Sequence, residues 1–333
     1  MPDLPIADSH NDLLLACMHR RERGGSDPFG DDWLPGLRAG GVVFQVLPIF
    51  TEEQFVAEAA LRRTLEIVAL AREIAAVHRH DVAIAESAVE IDSIIDSGRI
   101  ALLIAIEGAE PVGSSISMFE TLYRLGVRMA SLTWNRRTML ADGTAESGTG
   151  GRLSSLGVEA VAEMERLGMV VDISHLSAAG VDHLAEVATK PFVASHSSCR
   201  ALCDHPRNLT DDQIRLVAGS GGFVAVNAFG AFVSEAAPTI DNFVDHIEHA
   251  AAIAGEDRAA IGADFIEDLI ATVDPILGRQ LLVDPAELSF IDDLKAPSDY
   301  GNLSGCLVER FGTDRATRFA SANMLDFFRA NLR

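Results

Sequence analysis

Apolar residues fall into short, nearly continuous runs, separated by longer stretches in which they recur every three or four positions. Eight runs have the length of a strand: 6–12, 41–50, 100–108, 127–134, 168–175, 191–196, 221–229 and 259–265. They are rich in β-branched residues and nearly unbroken, as strands covered on both faces are. Between them, 53–79, 86–97, 116–125, 152–167, 177–188, 210–219 and 239–254 carry helical spacing, with a last helix near 313–331. Ser177 and Thr210 stand at predicted helix starts as caps, and acidic residues follow Thr210 in the first turn. Strand and helix alternating eight times predict an α/β fold, a (β/α)8 TIM-type barrel. A doubly wound open sheet is the alternative, but no G-x-G-x-x-G follows the first run. No repeat or linker divides the chain, so residues 1–333 are expected to form one barrel domain. Two segments break the rhythm, a Gly/Ser/Thr-rich loop at 141–157 and a weakly patterned excursion at 267–302. Both follow strands and so belong to the barrel end that carries active sites.

The polar residues that close the apolar runs change the picture from fold to chemistry. The first run ends in "DSHND", and in an extended strand His10 and Asp12 would share a face. An ordinary Asx turn explains that pair equally well. Other runs end in Glu107, His175, His196 and Asp264. Each alone has a commonplace reading: a core histidine, a helix-capping glutamate, a turn aspartate. Together they place six metal-type or acid–base side chains at one end of the predicted strands, where barrels build active sites. The other seven histidines, His19, His78, His80, His183, His205, His246 and His249, fall in helices or loops and are expected to pack or face solvent.

Three imidazoles with Asp and Glu oxygens suit Zn2+ or another borderline divalent ion. Only two of the 27 basic residues are lysines, Lys190 and Lys295, and neither is suited to a carbamylated bridge. Glu107 is then the natural bridge between two ions, which at about 3.5–4 Å apart activate water and polarise a carbonyl together. Asp264 is left as a free carboxylate for acid–base work. Arg207 and Asn208, eleven residues past His196, could bind a substrate carboxylate, or could form a surface pair or helix cap. Trp134, one of two tryptophans, could wall a substrate pocket or simply pack.

Composition mainly excludes. The net charge of −22 has no basic run within it, which disfavours nucleic acid and anionic membrane as partners. The four cysteines form no C-x-x-C pair, and reduced thiols are expected. No leader-type segment precedes Ile6 and no apolar run is long enough for a membrane span, so a cytoplasmic protein is expected.

The stretches "DSHNDL", "IEGAE", "LTWN", "LGMVVDISHLS", "VASHSSCRAL", "HPRNLTDDQI", "VNAF", "IGADF" and "SANMLDFFR" occur in this order across nearly the whole chain. The sequence thereby resembles the renal (membrane) dipeptidase family of the amidohydrolase superfamily. The resemblance implies a zinc-dependent dipeptidase barrel, commonly a homodimer, that accepts a D-residue at the C-terminal position of a small dipeptide. It implies His10, Asp12 and Glu107 as ligands of one zinc, and Glu107, His175 and His196 as ligands of the other. It also implies Asp264 as acid/base and Arg207 as the holder of the substrate's carboxylate. Two departures bear on specificity: Trp134 stands where some members have a histidine, and "DFIED" replaces the common "DFDG". They leave open a second reading, a barrel of this type acting on a lactone or a non-peptide amide. Phosphoester hydrolysis is disfavoured by the acidic balance and by the lack of a phosphate-cradling motif.

Overall fold

The computed structural model describes residues 4–273 and 288–333. Its strands are β1 (Ile6–Asp8), β2 (Val42–Phe50), β3 (Val82–Ile84), β4 (Ile100–Glu107), β5 (Val127–Ser131), β6 (Val170–Asp172), β7 (Phe192–Val193), β8 (Val224–Val226) and β9 (Ala259–Ile261). All ladder pairings are parallel, in the order β7-β6-β5-β4-β2-β1-β9-β8, and a parallel bridge from Ala194 to Val224 joins the two ends. The expected eight-stranded barrel is therefore present. β3 is an addition the apolar pattern did not predict. It pairs with Ile100–Leu102 of β4, while β5 pairs with Ile104–Ile106 further along the same strand.

One apolar cluster takes residues from all eight barrel strands, among them Ala7, Phe44, Leu103, Met129, Val170, Val193, Ala225 and Ala260, so it fills the barrel's interior. Phe327 and Phe328 of the last helix, Asn323–Asn331, join that cluster, with the Phe328 ring 5.1 Å from Phe44. The last helix thus plugs the N-terminal end, and the opposite end is left for polar groups. A second cluster packs the surrounding helices onto the barrel's outside.

Several strands end earlier than their apolar runs. Asp8 Oδ1 accepts the backbone N–H of His10 at 3.1 Å, and Asp172 Oδ1 accepts that of Ser174 at 3.1 Å. These Asx turns stop β1 and β6 and send the chain across the barrel mouth. His10 and Asp12 therefore do not share the face of an extended strand: Asp12 is already the N-cap position of helix Leu13–Glu22. The pattern gave no sign of that helix, because Leu13 to Met18 are all buried and show no polar face.

Predicted helices recur with their ends trimmed or shifted by a few residues: Glu58–Val77, Ala88–Asp96, Met118–Arg124, Ser155–Leu167, Ala178–Val187, Asp211–Ser220 and Ile240–Ala254. Ser177 caps through the N–H of Gly180, and Thr210 forms a full capping box with Gln213. The closing helical region starts at Tyr300 rather than near 313, because Gly312 at φ 74° breaks the helical run into two pieces. Of the excursion at 267–302, Glu267–Val273 is helical and Pro297–Asp299 is a 3-10 turn; 274–287 lie outside the described residues. All four cysteines are free thiols, and no described helix is long and apolar enough to cross a membrane.

Candidate metal centre

The C-terminal ends of β1, β4, β6, β7 and β9 and the loops leaving them bring buried His10, Asp12, Glu107, His175 and His196 together with half-buried Asp264 at the barrel mouth. Glu107 ends β4, and its two oxygens face different partners. Oε2 lies 3.6 Å from His10 Nε2, while Oε1 lies 2.7 Å from His175 Nε2 and 3.5 Å from His196 Nε2. His10, Asp12 and Glu107 place ligand atoms within 4.8 Å of one another, and so do Glu107, His175 and His196. A third group of that compactness is His10, His196 and Asp264.

The donor chemistry fits divalent cations. His10 Nε2 and Asp12 Oδ1 are buried without a hydrogen-bond partner. His175 Nδ1 lies 2.8 Å from Asn135 Oδ1, an acceptor only, so the ring's proton sits on Nδ1. His196 Nδ1 lies 2.7 Å from Ser195 Oγ. The Nε2 atoms of His175 and His196 lie 2.8 Å apart, so the lone pair of His175 is aimed into the space between the two rings, where a cation would be held.

Electrostatics agree. Burial, with Arg207 nearby, pushes His10 down to about 3, and burial holds His175 and His196 well below the usual imidazole range. Burial also raises Asp12 and Glu107 far above ordinary carboxylates, reinforced by Asp264 beside Asp12 and by both Asp12 and Asp264 beside Glu107. Neutral imidazoles beside crowded carboxylates are the environment that metal ions neutralise.

Asp264 sits at φ 56°, the left-handed region that a non-glycine residue seldom occupies. Its N–H bonds the His10 carbonyl at 3.0 Å, and Asn227 Nδ2 donates to its Oδ2 at 2.8 Å. Burial lifts its carboxyl to about 6, with the Asn227 hydrogen bond and Arg207 pulling the other way. Arg207 is fully buried, which lowers it to about 10. It donates to the Ser174 carbonyl, and its Nη2 lies 3.3 Å from both His175 Nε2 and the His196 carbonyl.

Trp134 is buried, its ring 5.7 Å from His175 and 4.9 Å from Phe50. Asn208 is placed differently from the sequence expectation of a substrate contact. Its amide nitrogen donates to the carbonyls of Cys203 and Phe232, which ties two loops together. Among the remaining histidines, His19, His78 and His249 pair with Glu52, Asp27 and Asp211. His246 accepts the Cys199 N–H and bonds the Val233 carbonyl. Sequence reasoning missed Asn135, Asp172, Ser195 and Asn227. One signal was available for Ser195: each clustered histidine follows a serine, in Ser9-His10, Ser174-His175 and Ser195-His196.

Fold and site together define a class, the barrel metallohydrolases. Residues 1–283 match the membrane dipeptidase family (peptidase family M19), and the chain belongs to that family of metal-dependent dipeptide hydrolases. Dipeptidase verJ of Clonostachys rogersoniana is 33% identical over 292 residues, covering 80% of this chain and 73% of its own. Dipeptidase 3 of Macaca fascicularis is 30% identical over 278 residues, 80% of this chain and 56% of its own. Against four curated relatives the chain spans from 51% to 73% of their length. A metallopeptidase from Rhodobacter sphaeroides, solved with a phosphinate mimic of the dipeptide L-Ala-D-Ala, superposes with a TM-score of 0.86. Its identity is 22%, covering 99% of this chain and 100% of that one, and this likeness speaks for the fold.

Proposed function

We propose that the chain is a dinuclear zinc dipeptidase that hydrolyses small dipeptides with a free C-terminal carboxylate, including those ending in a D-residue. The observation that carries this reading is Glu107, whose two oxygens face His10 on one side and His175 with His196 on the other. His10 and Asp12 would hold one ion, His175 and His196 the other, with Glu107 shared. When bound, the ions supply Lewis acidity toward the attacking water and the scissile carbonyl. Asp264, lifted to about 6, takes the proton from that water and returns it to the departing amine. Arg207 pairs with the substrate's terminal carboxylate, which limits the site to short peptides. The D-residue preference draws support from the L-Ala-D-Ala mimic bound by the Rhodobacter enzyme.

A panel of L,L- and L,D-dipeptides, their C-terminal amides and simple lactones, assayed with zinc-loaded protein, tests this. Turnover of L,D-dipeptides with loss of activity on the amides is expected. Hydrolysis of lactones alone would sink the dipeptidase reading.

A further inference from the structure

The two histidines facing Glu107 Oε1 are oriented by different means. His175 leans directly on Asn135, whereas His196 leans on a serine that has a carboxylate behind it. Ser195 Oγ lies 2.5 Å from Asp172 Oδ2 and 2.7 Å from His196 Nδ1. The Ser195 hydroxyl donates its one proton to Asp172 Oδ2. Its lone pair is left to accept the proton of His196 Nδ1, and that frees Nε2 as a ligand.

Asp172 is buried and held as a hub. Its Oδ1 accepts the N–H of Ser195 at 2.9 Å, the N–H of Ser174 at 3.1 Å and the hydroxyl of Ser174 at 2.8 Å. Ser174 Oγ in turn accepts the backbone N–H of His196 at 3.1 Å. One carboxylate at the end of β6 therefore fixes both the backbone and the ring of a ligand at the end of β7. His10 and Asp12 make no hydrogen bond to this network, although Ser9 of the same turn reaches the Ser195 carbonyl at 2.5 Å.

We propose that Asp172 and Ser195 form a relay that selects the metal-binding tautomer of His196, and so set the affinity of the Glu107–His175–His196 position and not that of the His10–Asp12 position. The inference rests on the dinuclear reading above. Ser195 and Asp172 act through His196 and are positioning residues. Partners of this kind typically contribute about 10- to 100-fold in metal affinity.

The test is stepwise zinc binding to metal-stripped protein, measured by competition with a chromophoric chelator, for wild type, Ser195→Ala, Ser195→Thr and Asp172→Asn. Nitrogen NMR of the histidine rings reads the tautomer of His196 in the same samples. We expect Ser195→Ala to weaken one of two zinc steps by about 10- to 100-fold, leave the other unchanged and shift His196 toward the Nε2–H tautomer. Ser195→Thr, which keeps the hydroxyl, restores both. If Asp172→Asn fails to fold, the serine pair alone decides. Wild-type affinity at both steps in Ser195→Ala, or equal weakening of both, overturns the relay and leaves the dinuclear reading standing. A wild-type chain that takes up no zinc overturns both.

Discussion

Asn227 donates to Asp264 at 2.8 Å while Asp264 holds a left-handed backbone conformation, φ 56°, that few non-glycine residues adopt. The carboxylate is thus aimed from two directions, by the turn that carries it and by the amide of the neighbouring strand's loop. The hydrogen bond favours the ionised form, against the burial that lifts the group to about 6. Removing the amide therefore moves the pKa upward. In Asn227→Ala, the acid limb of kcat/KM is expected to shift to higher pH by about one to two units, because a hydrogen bond to a charged group contributes about 1.5–3 kcal/mol. An unmoved limb would remove Asp264 as the titrating base.

Asp264→Asn separates acid–base work from metal holding. Bound zinc is expected to match wild type while kcat falls by about 10²- to 10⁴-fold, the usual contribution of a positioned proton-transfer group. Because Asp264 also lies within ligand distance of His10 and His196, metal content has to be read in the same sample. Loss of an ion in the variant would make Asp264 a ligand instead.

Arg207 is buried with its guanidinium among Ser174, His175 and His196, the only arginine so placed at the barrel mouth among the described residues. In Arg207→Met, KM for a dipeptide is expected to rise about 10- to 100-fold, the worth of a charge-assisted bond to carboxylate. The preference for dipeptides over their C-terminal amides disappears with it. A variant that keeps the preference shows that another group reads the carboxylate.

Asp8 offers a stability test apart from turnover. Burial raises its carboxyl to about 6 from an ordinary 3.8, with the backbone N–H groups of His10 and Ala263, both bonded to its Oδ1 at 3.1 Å, pulling against it. A raised folded-state pKa means that the folded chain holds the proton more tightly than the unfolded chain. Stability from this group is therefore full below about 4 and is lost as pH rises through about 6, by roughly 3 kcal/mol at most. Asparagine keeps an oxygen for the backbone N–H groups and does not ionise. Denaturant melts of metal-stripped Asp8→Asn should gain on wild type between pH 4 and 7, whereas parallel curves would show that Asp8 does not titrate there.

The barrel was legible because buried parallel strands leave unbroken apolar runs, and the candidate ligands because a histidine or carboxylate closing such a run is conspicuous. His10, Asp12, Glu107, His175, His196 and Asp264 were all legible in this way, and the structure brings them together. What lay beyond reach depends on distances between strands. Asn135 matters because it meets His175 forty positions away, and Asn227 because it meets Asp264 across the β8–β9 gap. Neither has a local pattern to betray it. β3 escaped because three residues are too few for a period, and helix Leu13–Glu22 because its first six residues are all buried. Asn208 follows Arg207 in the chain, but its amide nitrogen is spent on two carbonyls.

The central claim, two ions shared through Glu107, is tested most directly by titrating zinc into metal-stripped protein while following both bound metal and L-Ala-D-Ala hydrolysis. The account predicts no hydrolysis without metal, activity that saturates at two ions per chain, and loss of the shared stoichiometry in Glu107→Gln. Full hydrolysis by the stripped protein, or two ions bound equally tightly in Glu107→Gln, would contradict it.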